Sequence, residues 1–222
     1  MTFLKECIND SLSIWEEGLN SDFLKELANG TLPEDCFMGY IVDDSLYLRE
    51  YSKVFAWGIL HANTMAEIKN YHSMLSFVNE GENSTRLYYL ERYGLKDEEI
   101  QKLPLRAENE AYVKTMIEAA KNGGVAECMM ATLPCMLSYR WIFKELLKRN
   151  PQVKATVYSK FVEDYEGEEY SKICDEWIDF AESICQNLSA KQKTECLNIF
   201  RKCSEHELQF WKMSAKPRKD VR

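Results

Sequence analysis

Apolar residues recur every three or four positions along nearly the whole chain, a spacing typical of amphipathic helices. The first stripe consists of Leu4, Ile8, Leu12, Trp15 and Leu19. Further helices are predicted over 22–28, 34–62, 64–79, 84–93, 106–122, 125–149, 168–187 and 190–214, with a shorter segment near 152–163. No stretch alternates with a period of two between turn signals, so we predict no sheet. The pattern indicates an all-α protein of about eight to ten helices.

Turn residues mark where these helices stop. Asn29-Gly30, Asn122-Gly123-Gly124 and Asn150-Pro151 are breaks of this kind. Pro134 lies inside the 125–149 segment and is expected to kink it, because proline lacks a backbone N–H. No linker, repeat or low-complexity run divides the chain. We therefore predict a single all-α domain over residues 1–222, with residues 216–222 as a frayed basic tail.

Composition limits the partners. The 222 residues carry a formal net charge of −8, which argues against nucleic-acid binding. No uncharged run reaches the roughly 18 residues that a membrane span needs, and no export signal begins the chain, so we expect no membrane association. Eight cysteines without a C-x-x-C spacing indicate free thiols in a reducing cytoplasm rather than a disulfide framework.

Polar residues on inward-facing stripes are the informative exceptions to this pattern. On the 34–62 helix, Asp44 lies between Tyr40 and Tyr47 on the face that should be buried. One interpretation is a structural aspartate that is paired with a cation or caps a helix near a break at Asp43-Asp44. The other is a pocket in which a carboxylate and aromatic rings hold an amino-heterocycle. Spacing alone leaves both open.

Two further stripes carry reactive groups. Cys135 and Tyr139 share a face one turn apart on the 125–149 helix, so the thiol is either a core residue or a nucleophile. Glu207 occupies a core position between Cys203 and Phe210 on the last helix. Burial would raise the pKa of Glu207 toward values suited to general acid catalysis, whereas a partner Lys or Arg would make it structural. Carboxylates, a thiol and tyrosines on inward stripes suggest one common polar pocket.

Four motifs together resemble the TenA-type thiaminase II family, in its cysteine-containing branch. They are residues 30–58, Leu133-Pro134-Cys135 followed by Tyr139, Glu163-Asp164-Tyr165 followed by Glu168-Glu169-Tyr170, and Glu207 followed by Phe210-Trp211. The motifs occur in order and cover essentially the whole chain. The resemblance implies a haem-oxygenase-like helical bundle that assembles as a homotetramer and uses no metal or organic cofactor.

The same resemblance implies an activity and a set of site residues. The family hydrolyses 4-amino-5-aminomethyl-2-methylpyrimidine, and thiamine, to 4-amino-5-hydroxymethyl-2-methylpyrimidine in thiamine salvage. Its motifs assign Cys135 as the nucleophile that adds to the pyrimidine ring and Glu207 as the acid/base. The residues assigned to pyrimidine binding are Asp44, Tyr47, Tyr112, Tyr139 and Tyr165.

The chain departs from the family pattern at three positions. Asp43 stands where glutamine is common, and it would raise the pKa of Asp44 if it faced inward. Leu137 and Ser138 replace bulkier aromatic residues and would alter the volume of the pocket. These departures bear on substrate preference more than on the type of reaction.

Two other function classes stay open at this point. A haem or di-iron oxygenase could share the fold, although the three histidines, His61, His72 and His206, show no ligand spacing. A non-catalytic pyrimidine-binding or regulatory module is the second alternative. The presence of both Cys135 and Glu207 favours catalysis over binding alone.

Overall fold

The computed structural model describes residues 2–81 and 83–221, without the side chains of residues 80, 81 and 83–85. The described residues form eleven α-helices and no strand, which confirms the predicted all-α class. The helices are α1 (Phe3–Leu19), α2 (Asp22–Asn29), α3 (Glu34–His61), α4 (Met65–Ser76), α5 (Asn83–Tyr93), α6 (Asp97–Ile100), α7 (Ala107–Asn122), α8 (Val125–Arg149), α9 (Ser159–Glu166), α10 (Glu168–Cys185) and α11 (Ala190–Ser214).

Short elements account for the differences from the predicted pattern. The segment predicted over 64–79 is α4 followed by a π-helical turn, Phe77–Gly81, and the segment near 152–163 divides into a 3-10 turn, Pro151–Ala155, and α9. The one-turn helix α6 was not predicted, because four residues are too few to show a period. Despite the proline expected to kink it, α8 is assigned as one continuous helix through Pro134.

Local side-chain chemistry explains several helix ends. At the start of α4, the Thr64 hydroxyl accepts from the Glu67 amide while the Glu67 carboxylate accepts from the Thr64 amide. Ser189 and Gln192 form the same reciprocal pair before α11. At the predicted stop after α2, Gly30 has a φ of +71°, a left-handed conformation that a residue without Cβ adopts at little cost.

Helix α8 is the central element of the bundle. It packs against α1, α3, α7, α10 and α11, and its residues from Cys128 to Tyr139 are all buried. Helix α3 is also enclosed, since it contacts α4, α5, α7, α8 and α11. The facing surfaces of α3, α7, α8 and α11 hold the side chains of greatest chemical interest.

The C-terminal tail, predicted to be frayed over residues 216–222, is anchored at Arg218 in the part that the structure describes. Arg218 is only 6% exposed and its guanidinium contacts the buried carboxylate of Asp43 on α3. A basic tail carries no periodicity, and its burial depends on a counter-charge 175 residues away in the chain. Arg222 lies outside the described residues.

None of the described helices combines the length and the apolar character needed to cross a lipid bilayer.

Candidate active site

A buried carboxyl group on α11 is the centre of the candidate site. Glu207 is only 3% exposed, and its Oε1 accepts a 2.7 Å hydrogen bond from the Tyr112 hydroxyl on α7. The Cys135 thiol on α8 also hydrogen-bonds to this carboxyl group. Among the described residues no Lys or Arg forms an ion pair with Glu207, so the structural alternative of a paired carboxylate is not what the fold contains.

The electrostatic setting of Glu207 suits proton exchange near neutral pH. Burial raises its pKa from 4.5 to about 8, and the negative charge of Asp44 acts in the same direction. The hydrogen bonds from Tyr112 and Cys135 favour the ionised form and limit the rise. A carboxyl group with such a pKa can release a proton and take one up at physiological pH.

Cys135 has limited contact with solvent. Its side chain is 8% exposed, whereas Cys128, Cys196 and Cys203 are fully buried. Ser138, one of the departures from the family pattern, is fully buried and donates from its hydroxyl to the Cys135 carbonyl at 3.4 Å.

Helix α3 contributes a second carboxyl group, that of Asp44. Asp44 keeps partial exposure, and no described side chain donates a hydrogen bond to it. Burial raises its pKa to about 7; the Arg86 guanidinium opposes this rise and the neighbouring Asp43 adds to it. Asp44 also acts electrostatically on Glu207 and Tyr139, which places it at the same site.

The sequence left open whether Asp44 is a structural aspartate. The structure shows that Asp44 and its neighbour Asp43 have different surroundings. Asp43 is fully buried and pairs with Arg106 and Arg218. Asp43 is therefore the structural, salt-bridged carboxylate, and α3 shows no break at this point. Asp44, by contrast, keeps partial exposure and forms no ion pair among the described residues.

Tyrosines pack around these groups. The Tyr47 ring lies 5.0 Å from that of Tyr112, and the Tyr139 ring lies 5.0 Å from that of Tyr165. The hydroxyls of Tyr139 and Tyr40 are hydrogen-bonded at 3.0 Å. Burial raises the pKa of Tyr47, Tyr112 and Tyr139 well above the usual value, so these phenols stay neutral and can donate hydrogen bonds.

All seven residues singled out from the sequence thus lie at one site, and two further contributors were missed. Tyr40 is the hydrogen-bond partner of Tyr139, and its position one turn before Asp44 on the same stripe was a usable signal. Arg86 influences Asp44 from α5, and no sequence pattern pointed to it. A surface groove of about 540 Å³ between α3, α4, α8 and α10 contains none of the seven residues.

The histidines make other contacts. His61 Nε2 lies 2.8 Å from the Ala120 carbonyl, and His206 Nε2 lies 2.9 Å from the Thr115 hydroxyl. His72 is exposed. Within the described part of the chain, no three side chains of His, Cys, Asp or Glu are grouped so that they could hold a metal ion.

Comparisons with known proteins agree with this geometry. Residues 9–216 match the model of the TENA/THI-4/PQQC family. Aminopyrimidine aminohydrolase of Halalkalibacterium halodurans is 27% identical over 96% of this chain and 96% of its own, and that of Helicobacter pylori is 29% identical over 91% and 93%.

A solved structure shows the same fold. The crystal structure of a TenA family transcription regulator from Silicibacter sp. TM1040 superposes with a TM-score of 0.86 at 22% identity, covering 97% of both chains. The predicted haem-oxygenase-like helical fold is confirmed. The chain therefore belongs to the TENA/THI-4/PQQC family, and its prediction as an enzyme of the thiaminase II type is confirmed at the level of that family.

Proposed function

We propose that this protein hydrolyses 4-amino-5-aminomethyl-2-methylpyrimidine, and thiamine, at the methylene carbon attached to C5 of the pyrimidine. The product is 4-amino-5-hydroxymethyl-2-methylpyrimidine, as thiamine salvage requires. The observation that carries the proposal is the Cys135 thiol hydrogen-bonded to a buried carboxyl group whose pKa is about 8. The names of the two curated relatives support the same reaction.

Cys135 and Glu207 divide the covalent chemistry. Cys135 releases its proton to water and adds as the thiolate to the ring carbon beside C5, which breaks the aromaticity of the pyrimidine. The protonated Glu207 gives its proton to the amine, and electrons pushed from the ring expel ammonia from the methylene carbon. Water then adds to the exocyclic carbon and gives a proton back to Glu207, while the Cys135 thiolate leaves and the aromatic ring is restored.

Asp44 is suited to holding the substrate. Its carboxylate accepts from the exocyclic amine and from a protonated ring nitrogen, two donors that match two carboxylate oxygens. Because no described side chain satisfies Asp44, a bound pyrimidine provides the hydrogen bonds that the free protein lacks.

The tyrosines provide flat apolar walls with polar edges. Rings of Tyr47, Tyr139 and Tyr165 can stack on or against the pyrimidine, and their low cost of ordering suits them to this role. Tyr112 acts on Glu207 rather than on the ring, because its hydroxyl is already donated to that carboxyl group.

The proposal extends to assembly and location. The family resemblance supports a homotetramer in the cytoplasm, and eight free cysteines suit a reducing compartment. Light scattering on the purified protein tests the first, because a tetramer of the 26.0 kDa chain has four times its mass.

The decisive experiment compares ammonia release from the aminomethylpyrimidine with thiazole release from thiamine. We expect Cys135→Ser to abolish both, a fall of about a thousandfold or more, because a serine hydroxyl is a far weaker nucleophile than a thiol. Cys128→Ser is the matched control, since Cys128 lies two turns earlier on α8 and is fully buried. Both variants should keep the helical circular dichroism spectrum.

Each outcome separates the alternatives. Turnover by Cys135→Ser at the wild-type rate would remove the thiol from the mechanism. Pyrimidine binding without turnover by the wild-type protein would favour a binding or regulatory module. Stoichiometric iron or haem in the purified protein would revive the oxygenase alternative.

A further inference from the structure

The residue next to Asp44 is the centre of a buried ion network. Arg218 Nη1 donates to Asp43 Oδ1 at 2.5 Å, and Arg106 Nη2 donates to Asp43 Oδ2. Asn109, at the start of α7, donates to the backbone carbonyl of Asp43 at 2.9 Å. Both carboxylate oxygens and the carbonyl of one residue on α3 are therefore held by other segments.

The C-terminal tail is fastened at this point by several contacts. Arg218 also donates to the Pro104 carbonyl at 2.8 Å and forms a two-point ion pair with Asp220. Its backbone packs against Gly39, where an added Cβ would approach the Arg218 nitrogen to 3.1 Å. Arg106, the residue before α7, donates to the Met213 and Lys216 carbonyls. The tail, residues 216–221, thus joins α11 and the start of α7 to α3, and we call it the strap.

The geometry of a helix links this network to the candidate site. Successive residues are rotated by about 100° around the axis, so Asp43 and Asp44 project on adjacent faces of α3. One carboxylate points to the strap and the other to the tyrosine-lined site. Fixing Asp43 at both oxygens fixes the rotation of the turn that presents Asp44.

We propose that Arg218 is a positioning residue for Asp44: by anchoring Asp43 it sets the rotation of this turn and offsets the negative charge beside the pyrimidine-binding carboxylate. The identity of the ligand in this inference rests on the proposed function. The effect of Arg218 on the pKa of Asp44 does not depend on it. It explains why a chain with aspartate at position 43 also buries an arginine of its tail. Without Arg218, the fully buried Asp43 would keep only Arg106 as its cationic partner beside a second carboxylate.

Several charged or ionisable groups act on Asp44 and set the background for a pH test. They are Arg86 from α5, Asp43 and Tyr40 on α3, Tyr139 on α8 and Glu207 on α11. Arg218 opposes only the contribution of Asp43. Removing its positive charge therefore raises the pKa of Asp44, since a carboxylate with less compensation nearby holds its proton to higher pH.

Three variants test the proposal. Arg218→Gln removes the charge and Arg218→Lys keeps it. Asp43→Asn combined with Arg218→Gln removes both members of the pair, which avoids leaving Oδ1 of the buried carboxylate without its partner if the single variant fails to fold. Arg149→Gln is the control, because Arg149 joins α8 to α1 through a two-point pair with Glu16. The control breaks a tie between helices without touching α3.

The first measurement uses calorimetric binding of the product, 4-amino-5-hydroxymethyl-2-methylpyrimidine, together with kcat and KM. We expect Arg218→Gln and the double variant to weaken binding and raise KM by about tenfold, with a smaller change in kcat, because Asp44 holds the ring rather than reacting with it. Arg218→Lys should recover most of the affinity. Wild-type affinity in the Gln variant, with only its melting temperature lowered as in Arg149→Gln, would make Arg218 merely structural.

The second measurement needs no ligand. Carbon-13 NMR of the free protein, with the Asp44 carboxyl signal assigned by Asp44→Asn, reports its titration midpoint directly. We expect Arg218→Gln to raise this midpoint by about half a pH unit or more, and Arg218→Lys to leave it near the wild-type value. An unchanged midpoint in the Gln variant would overturn the inference. Failure of the wild-type protein to bind any pyrimidine would instead overturn the proposed function and leave this titration decisive.

Discussion

Replacing Glu207 by glutamine should stabilise the protein, by an amount that grows as the pH rises from about 5 to about 8. The folded protein disfavours the ionised form of Glu207, since burial raises its pKa from 4.5 to about 8. Between these two values the folded state holds a proton that the unfolded state has released. The contribution of this residue to stability is therefore complete below pH 4.5 and is lost as the pH rises toward 8.

The size of the effect follows from the same two numbers. A rise from 4.5 to about 8, at about 1.36 kcal/mol per pH unit, corresponds to at most about 5 kcal/mol. Glutamine is nearly isosteric with the protonated acid and can still accept the hydrogen bond from Tyr112. We therefore expect Glu207→Gln to match the wild-type protein within about 1 kcal/mol at pH 5 and to exceed it by about 2–4 kcal/mol at pH 8.5.

Urea unfolding at a series of pH values measures the difference directly. Comparing variant and wild type at each pH cancels the titration of all other groups. Glu205→Gln is the matched control on the same helix, because the Glu205 side chain is 41% exposed. Parallel stability curves for Glu207→Gln and the wild type would refute the reasoning, since they would mean that Glu207 is ionised in the folded protein over the whole range.

Two further substitutions test the hydrogen bonds of the site. Tyr112→Phe removes the 2.7 Å donor to Glu207, so the pKa of Glu207 should rise and the alkaline limb of the kcat profile should move up by about one pH unit. Tyr71→Phe is the control, because it loses a hydrogen bond to the Val125 carbonyl instead and should leave that limb in place. Identical pH profiles for the two variants would count against the role assigned to Tyr112. Asp44→Asn should raise KM for the aminomethylpyrimidine by about tenfold to a hundredfold, because an amide cannot accept from both donors of the ring edge, and an unchanged KM would show that the pyrimidine is held elsewhere.

Inward-facing stripes were sufficient to predict where the reactive groups meet. Cys135, Tyr139 and Glu207 are polar residues at helical spacing within apolar stripes, and burial of those stripes brings them together. The reasoning works because a helix with one apolar face has only one way to bury it. The predicted helix ends at Asn29-Gly30 and Asn150-Pro151 are also found, because the preferences of turn residues act within a few positions of the chain.

Helix α3 shows where this reasoning fails. It is packed by neighbours on several sides, so residues off the predicted stripe are buried as well. Asp43 is one of them, and its two arginine partners come from segments far along the chain. Nothing in the local pattern distinguishes Asp43 from an exposed carboxylate, or the tail that carries Arg218 from a solvated one. Long-range ion pairs of this kind depend on the packed arrangement of helices.

The two carboxyl groups of the site are coupled, and the coupling fits their different roles. The charge on Asp44 raises the pKa of Glu207. A pyrimidine that donates two hydrogen bonds to Asp44 favours its ionised form, because only the carboxylate accepts both. Asp44 then keeps its charge near neutral pH, despite a pKa of about 7 in the free protein. That charge in turn favours the protonated form of Glu207, so the same contact that holds the ring supports the proton donor beside Cys135. The ligand keeps Asp44 ionised, and burial keeps Glu207 protonated. An acid-assisted nucleophilic addition requires this division between a binding carboxylate and a proton donor.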